Sequence, residues 1–370
     1  MQLVQAALGQ RAQTGRGRVL VTDLVNGRSR SAVAAVRALA AGGYAPVVTT
    51  SAAGSPAASS RDCAAAVPVP AGATDDAGPY VAAVRQALAA TAYVGVVPAS
   101  DGALLALGLP GGDLLDKSAL PDRVATAGLR VPKTLRFEDG CALAAAAGGL
   151  TYPLVVKPVL TAGPDQQARR VETPRDLELF AGTTDGPSVV QPYLGGDLQA
   201  VSGVVHEGAY LALVHQRSLR TWPADCGVAS AAVTTAPDPA LEERLAVLLA
   251  GHRGVFQVQL VAGHVIDVNP RVYGSLPLAV AAGANLPAIA CAADGGRVGP
   301  LVRGRPGVRY RWLEGDVRSV LSGLRQGTTG ARAAAAALRP RSGTAHSVES
   351  LRDPGPLLGR LAHVARRGSR

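Results

Sequence analysis

The strongest constraint on the fold is a change of rhythm along the chain. In the first hundred residues, short apolar runs alternate with helical stretches. The runs at residues 18–23, 45–49 and 93–98 are apolar at their centres, as expected of strands buried on both faces. Residues 31–41, closed by Gly42-Gly43, and residues 80–90 carry helical spacing between them. Strand–helix alternation predicts a parallel sheet with helices on both faces. Later the rhythm changes. Residues 199–216 alternate around the turn His206-Glu-Gly208, and residues 255–269 alternate around Ala262-Gly263-His264. These are expected to be antiparallel hairpins.

Between these regions, residues 152–158 and 188–194 read as strands, and residues 175–180 as a short helix. Helices are also expected at residues 114–126, 239–252, 315–325 and 333–337, and a strand at 308–312. The loops expected at residues 50–62 and 161–169 are small and polar, and the stretch 160–169 has one glycine, Gly163. A chain of 370 residues exceeds one ordinary core and suits two or three domains.

Charge and cysteine usage exclude several classes. The net charge of +10 comes from arginines scattered along the chain, with no basic run interleaved with aromatics, which argues against nucleic-acid binding. No apolar run approaches the roughly 20 residues of a membrane helix. Residues 1–17 show no charged-then-apolar leader and read as a frayed tail. The four cysteines stand far apart, which fits a reducing cytoplasm rather than a zinc site or disulfide framework. Only three basic positions are lysine: Lys117, Lys133 and Lys157. In a chain that otherwise uses arginine, a retained lysine marks a place where a compact ammonium is needed.

The second hairpin carries the densest polar pattern. Alternate side chains of a strand share a face, so Asp267 and Asn269 point the same way and Gln259 can oppose them. Gln257 is expected on the opposite face. Three oxygen-bearing side chains around one point suit Mg²⁺, which takes hard oxygen ligands and shares them with phosphates. The polar outer face of an ordinary hairpin would look the same.

At Ile266-Asp-Val-Asn-Pro-Arg271 the sequence resembles the ATP-grasp family, whose last strands carry an acidic or Gln ligand followed by an [ED]-x-N-P-R motif. The remaining landmarks follow in order. Lys117 and Lys157 match the two ATP lysines. Gln191-Pro-Tyr193-Leu194 matches the hinge whose backbone meets adenine, and Asp197 matches the acid on the ribose hydroxyls. Gln259, Asp267 and Asn269 match the metal ligands, for Mg²⁺ or Mn²⁺.

The resemblance implies an α/β fold in ordered parts. A flexible tail occupies 1–17 and a Rossmann-like parallel-sheet domain 18–113. An ATP-grasp domain of two α+β subdomains occupies 114–295, with a lid at about 130–192, and a C-terminal extension with a basic tail occupies 296–370. The residues beyond about 330 carry no landmark and are expected to be dispensable for nucleotide binding.

The implied activity is ATP-dependent carboxylate–amine ligation through an acyl phosphate, in the cytoplasm, on small acid and amine substrates. It involves neither nucleic acid nor membrane, and it leaves room for a homodimer. Arg271 would stabilise transferring charge. Arg220, in Gln216-Arg-Ser-Leu-Arg-Thr-Trp-Pro223, is a candidate substrate contact and equally fits a surface arginine. Another ATP-grasp chemistry, a kinase or a bicarbonate-activating enzyme, and a non-catalytic nucleotide-binding protein are the alternatives.

Overall fold

The structure is a computed structural model and describes residues 15–24, 29–51, 55–70, 76–161, 168–184 and 186–368. Most of the tail expected at 1–17, and the core of the glycine-poor loop at 160–169, lie outside the described residues.

The first unit is the expected parallel sheet. Its strands β1 (Arg18–Thr22), β2 (Ala45–Thr50), β3 (Ala65–Pro68) and β4 (Gly95–Pro98) stand in the order β3-β2-β1-β4, all parallel. Helices α1 (Arg30–Ala41) and α2 (Gly78–Ala90) supply the crossovers, and α3 (Asp101–Ala106) follows β4. Ser29 caps α1 through Ala32 N–H, and Ser100 caps α3 through Ala103 N–H. Both caps sit at the carboxyl ends of strands, the edge where open α/β sheets bind ligands.

The second unit is a small antiparallel sheet. After α4 (Leu120–Thr126) come β5 (Leu135–Phe137), α5 (Gly140–Ala146), β6 (Leu154–Pro158), β7 (Arg169–Val171), α6 (Pro174–Ala181) and β8 (Ser188–Pro192). The strand order is β5-β8-β6-β7. Leu143, Leu154, Val156, Val171, Leu177 and Val190 form a core of their own between this sheet and α5 and α6.

The third unit is a large sheet built on β9 (Leu198–His206), β10 (Ala209–Trp222) and β11 (Val228–Thr234). The chain continues through α7 (Pro239–Leu248), β12 (Gly254–Val261), β13 (His264–Asn269), α8 (Leu276–Ala281) and α9 (Leu286–Asp294). Next come β14 (Val302–Arg303), β15 (Arg309–Arg311), α10 (Leu313–Arg325), α11 (Ala331–Leu338), β16 (Ala345–His346) and α12 (Gly355–Gly368). The path is β13-β12-β9-β10-β11-β15-β16, with β14 on β10. Both expected hairpins are present, as β9–β10 and β12–β13.

Helices α1, α8 and α9 share one core with β1 and β9 through Val19, Val33, Val36, Val204, Leu276 and Leu286. The parallel sheet and the large sheet are thereby fixed to each other, while the small sheet packs within itself. Among the described residues no helix is long and apolar enough to cross a membrane.

Candidate functional site

The three sheets face a single cleft of about 670 Å³. Every residue matched to a family landmark or named as a candidate substrate contact lines it: Lys117, Lys157, Gln191, Tyr193, Leu194, Asp197, Arg220, Gln259, Asp267, Asn269 and Arg271; the third lysine, Lys133, is not part of the lining.

Lys117 is held by its local turn. The Asp116 carboxylate accepts from Ser118 N–H at 2.8 Å and Ser118 Oγ at 2.6 Å, an Asx-type turn into α4. Lys117 N–H donates to Val159 carbonyl at 3.1 Å, which ties the turn to the end of β6. Its ammonium reaches Thr161 Oγ1 at 3.2 Å and lies 3.8 Å from Asp267.

Lys157, next to last in β6, crosses to the large sheet, where its ammonium donates to the Ile266 carbonyl at 2.9 Å. Desolvation lowers its pKa to about 8; Asp267 pulls it upward and Lys117 pushes it down.

The hairpin register places Gln259 opposite Asp267 and Gln257 opposite Asn269. Gln257 therefore lies on the same face as the other three, not the opposite one, and accepts from Gln259 Nε2 at 3.4 Å. Two residues apart on one strand means one face, and the bulge between Gln259 and Leu260 falls beyond both.

From Asp267 a chain of polar contacts crosses the cleft. Asn269 donates to Asp267 at 3.2 Å, Arg271 Nη2 donates to Asn269 Oδ1 at 3.0 Å, and Arg271 Nε donates to Asp101. Asp101 opens α3, just beyond β4 of the parallel sheet, 170 residues away in sequence. Burial opposes the Arg271 charge, but Asp101 outweighs it and holds the pKa above the ordinary arginine range. Asp101 was missed from the sequence; its only local signal is its place just after Ser100, at the end of a predicted parallel strand.

Gln191 is buried and donates to Thr134 Oγ1 at 2.9 Å. Tyr193 N–H donates to Pro153 carbonyl at 3.0 Å, and the Arg170 guanidinium stacks 4.0 Å above the Tyr193 ring. Asp197 is exposed and pairs with Arg217 at 3.0 Å.

Arg220 sits where the β10–β11 register shifts. Its fork closes on Asp316 at 2.6 and 3.1 Å, an internal partner that sequence reading did not foresee. Asp316 is fully buried and also accepts from Arg311 at 2.7 Å. Cys226 lines the cleft too, but burial pushes its thiol pKa up and its Sγ donates to Ala168 carbonyl at 3.1 Å. It is not primed as a nucleophile.

No family model matches the chain, and no curated protein matches it. Solved structures do. Staphylococcus aureus N5-carboxyaminoimidazole synthetase complexed with ADP superposes with a TM-score of 0.61 at 13% identity, over 82% of this chain and 83% of that one. The biotin carboxylase domain of Hydrogenobacter thermophilus 2-oxoglutarate carboxylase, a dimer with MgADP and bicarbonate, gives 0.57 at 14%, over 80% and 74%. The L-amino acid ligase of Bacillus licheniformis gives 0.55 at 17%, over 78% of each chain. With a parallel sheet, a small antiparallel sheet and a large sheet around one cleft, the fold of this chain is the ATP-grasp fold.

Proposed function

We propose that the chain is an ADP-forming carboxylate–amine ligase. The observation that supports this best is the meeting of Lys117, Lys157 and Arg271 around Asp267. Three cations from separate parts of the chain converge there with two carboxylates, Asp267 and Asp101, and among the described residues the cysteine that lines the cleft, Cys226, is not activated. Such a site suits phosphoryl transfer, where positioning and charge stabilisation carry the chemistry.

In this reading the small sheet is the lid, and ATP lies between it and the large sheet. Lys117 and Lys157 hold the phosphates. The backbone at Tyr193 and Leu194, with Gln191 behind it, meets adenine. Asp197 takes the ribose hydroxyls in exchange for Arg217. Asp267, Asn269 and Gln259 offer one carboxylate and two amide oxygens on one face of the β12–β13 hairpin. That donor set fits Mg²⁺ or Mn²⁺, because such an ion completes its shell with phosphate oxygens and water. When bound, it would neutralise charge on the transferring group.

A substrate carboxylate oxygen attacks the γ-phosphorus, the bond from the γ-phosphorus to the ADP oxygen breaks, and an acyl phosphate forms. An amine nitrogen then attacks the acyl carbon, the carbon–oxygen bond to phosphate breaks, and the nitrogen loses a proton. Arg271, fixed by Asp101, faces the oxyanion of that second step, and Arg220 adds charge held by Asp316. The substrates are small, and the reaction belongs in the cytoplasm, where ATP is available.

The test is ADP release across a panel of acids, amines and bicarbonate, with mass spectrometry of the products. The ligase reading requires ADP release that needs both an acid and an amine, and an amide product. ADP release with an acid alone, giving a phosphorylated product, would make the protein a kinase instead.

A further inference from the structure

Among the described residues three arginines line the cleft, and two of them are closed on carboxylates: Arg271 on Asp101 and Arg220 on Asp316. Arg30 is the third. It opens α1 directly after its cap, Ser29. Its guanidinium lies over the Trp312 ring with Cζ 3.8 Å from the centroid. Gly274 backs it on another side: a Cβ there would stand 3.1 Å from both Cζ and Nη2. Nη1 donates to Tyr310 Oη at 3.2 Å, and that hydroxyl donates to Gly274 carbonyl at 2.9 Å.

Among the described residues Arg30 makes no other side-chain hydrogen bond and no ion pair. Burial depresses its pKa. Glu349 acts on it only at a distance, and Arg360 adds charge of the same sign. A cation desolvated this far without a counter-charge is costly unless a ligand supplies one. The ring stack and the glycine fix the plane of the fork, which is what two-point recognition of an oxyanion needs.

We propose that Arg30, stacked on Trp312 and open to the cleft, binds an oxyanion that a substrate carries besides its reacting group, a carboxylate or a phosphate ester. That the ligand is a substrate rests on the ligase reading; that the site takes an oxyanion does not.

The test is calorimetric titration of the full chain with Mg²⁺ and a non-hydrolysable ATP analogue present. The probes are the proteinogenic L-amino acids against their carboxamides, and aminoalkyl phosphates against the matching amino alcohols. In the wild type, one arm binds its charged member about 10- to 100-fold more tightly than its neutral partner. The arm that responds distinguishes carboxylate from phosphate. In Arg30→Met this preference collapses to near parity. Arg30→Lys keeps the charge without the fork, so it loses most of the preference, and it decides the matter if the Met variant does not fold. A preference that survives in the variants, or is absent from both arms in the wild type, overturns the proposal. Arg30-dependent binding without ADP release from any acid–amine pair would sink the ligase reading alone. ADP release with no charge preference would sink this proposal alone.

Discussion

At the scale of the residue, charge governs the site. Asp267 is the only carboxylate among the three expected metal ligands, so Asp267→Asn removes the negative charge of that ligand set while keeping its shape. Single-turnover ADP formation at saturating Mg·ATP should fall about 10²- to 10³-fold, with nucleotide affinity reduced less. Gln257 shares that face through its pairing with Asn269, so Gln257→Ala should slow the same step, though less than Asp267→Asn; a rate equal to wild type would remove Gln257 from the working face.

Lys157 gives a prediction with a sign. Burial holds its pKa at about 8. A phosphate beside it favours the charged form, so binding draws in a proton where the free enzyme has lost it. Affinity for an ATP analogue should therefore be flat below pH 8 and fall above it. Calorimetry at pH 8 in buffers of different ionisation enthalpy should register proton uptake, and Lys157→Met should abolish both effects.

The local part of this site was legible because its chemistry sits on neighbouring positions: alternate residues of one strand, and rare lysines in an arginine-rich chain. Asp101, Arg30 and Asp316 were not. Each meets its partner from a remote segment, and no spacing encodes that juxtaposition.

At the scale of the element, strands rich in Val and Leu were readable, and so were both hairpins. β3, β7, β11 and α5 were not assigned from the sequence. β3 and α5 are rich in alanine, β7 begins with two arginines, and β11 is mostly small residues. Alanine gives no apolar period and has little strand preference, so packing decides its state. The small sheet illustrates a consequence. Its core is separate, and Leu177 is fully buried within it. Leu177→Ala should cost about 2–5 kcal/mol of local stability. Hydrogen exchange should speed up in β6 and β8 while the large sheet keeps its protection; equal loss in both sheets would mean that the two unfold as one body.

At the scale of the whole molecule, the C-terminal segment is built into the fold. Arg37 of α1 donates to Asp353 Oδ2 at 2.8 Å, to the carbonyls of Ser347 at 3.1 Å and Val348 at 2.9 Å, and to the Asp353 carbonyl at 3.0 Å. A chain ending at Gly330 would leave that guanidinium without these partners, so truncation should cost stability before it touches nucleotide contacts. Asp353→Ala alone should cost about 3–5 kcal/mol, read by urea unfolding. Burial raises the Asp353 pKa, but bonds from Ser60, Arg61 N–H and Arg37 outweigh this and hold it below the ordinary carboxylate range. Its contribution is therefore complete above the unfolded carboxylate value of about 4 and fades as the pH falls below that. Wild-type unfolding midpoints should drop faster than those of Asp353→Ala on acidification.

In the proposed reaction a carboxylate oxygen is transferred to phosphorus and leaves with it. Acid labelled with oxygen-18 in its carboxylate, turned over with ATP and the amine that supports ADP release, tests this directly. One labelled oxygen is expected in each inorganic phosphate formed, with an amide product that has lost that oxygen. Unlabelled phosphate would contradict that transfer.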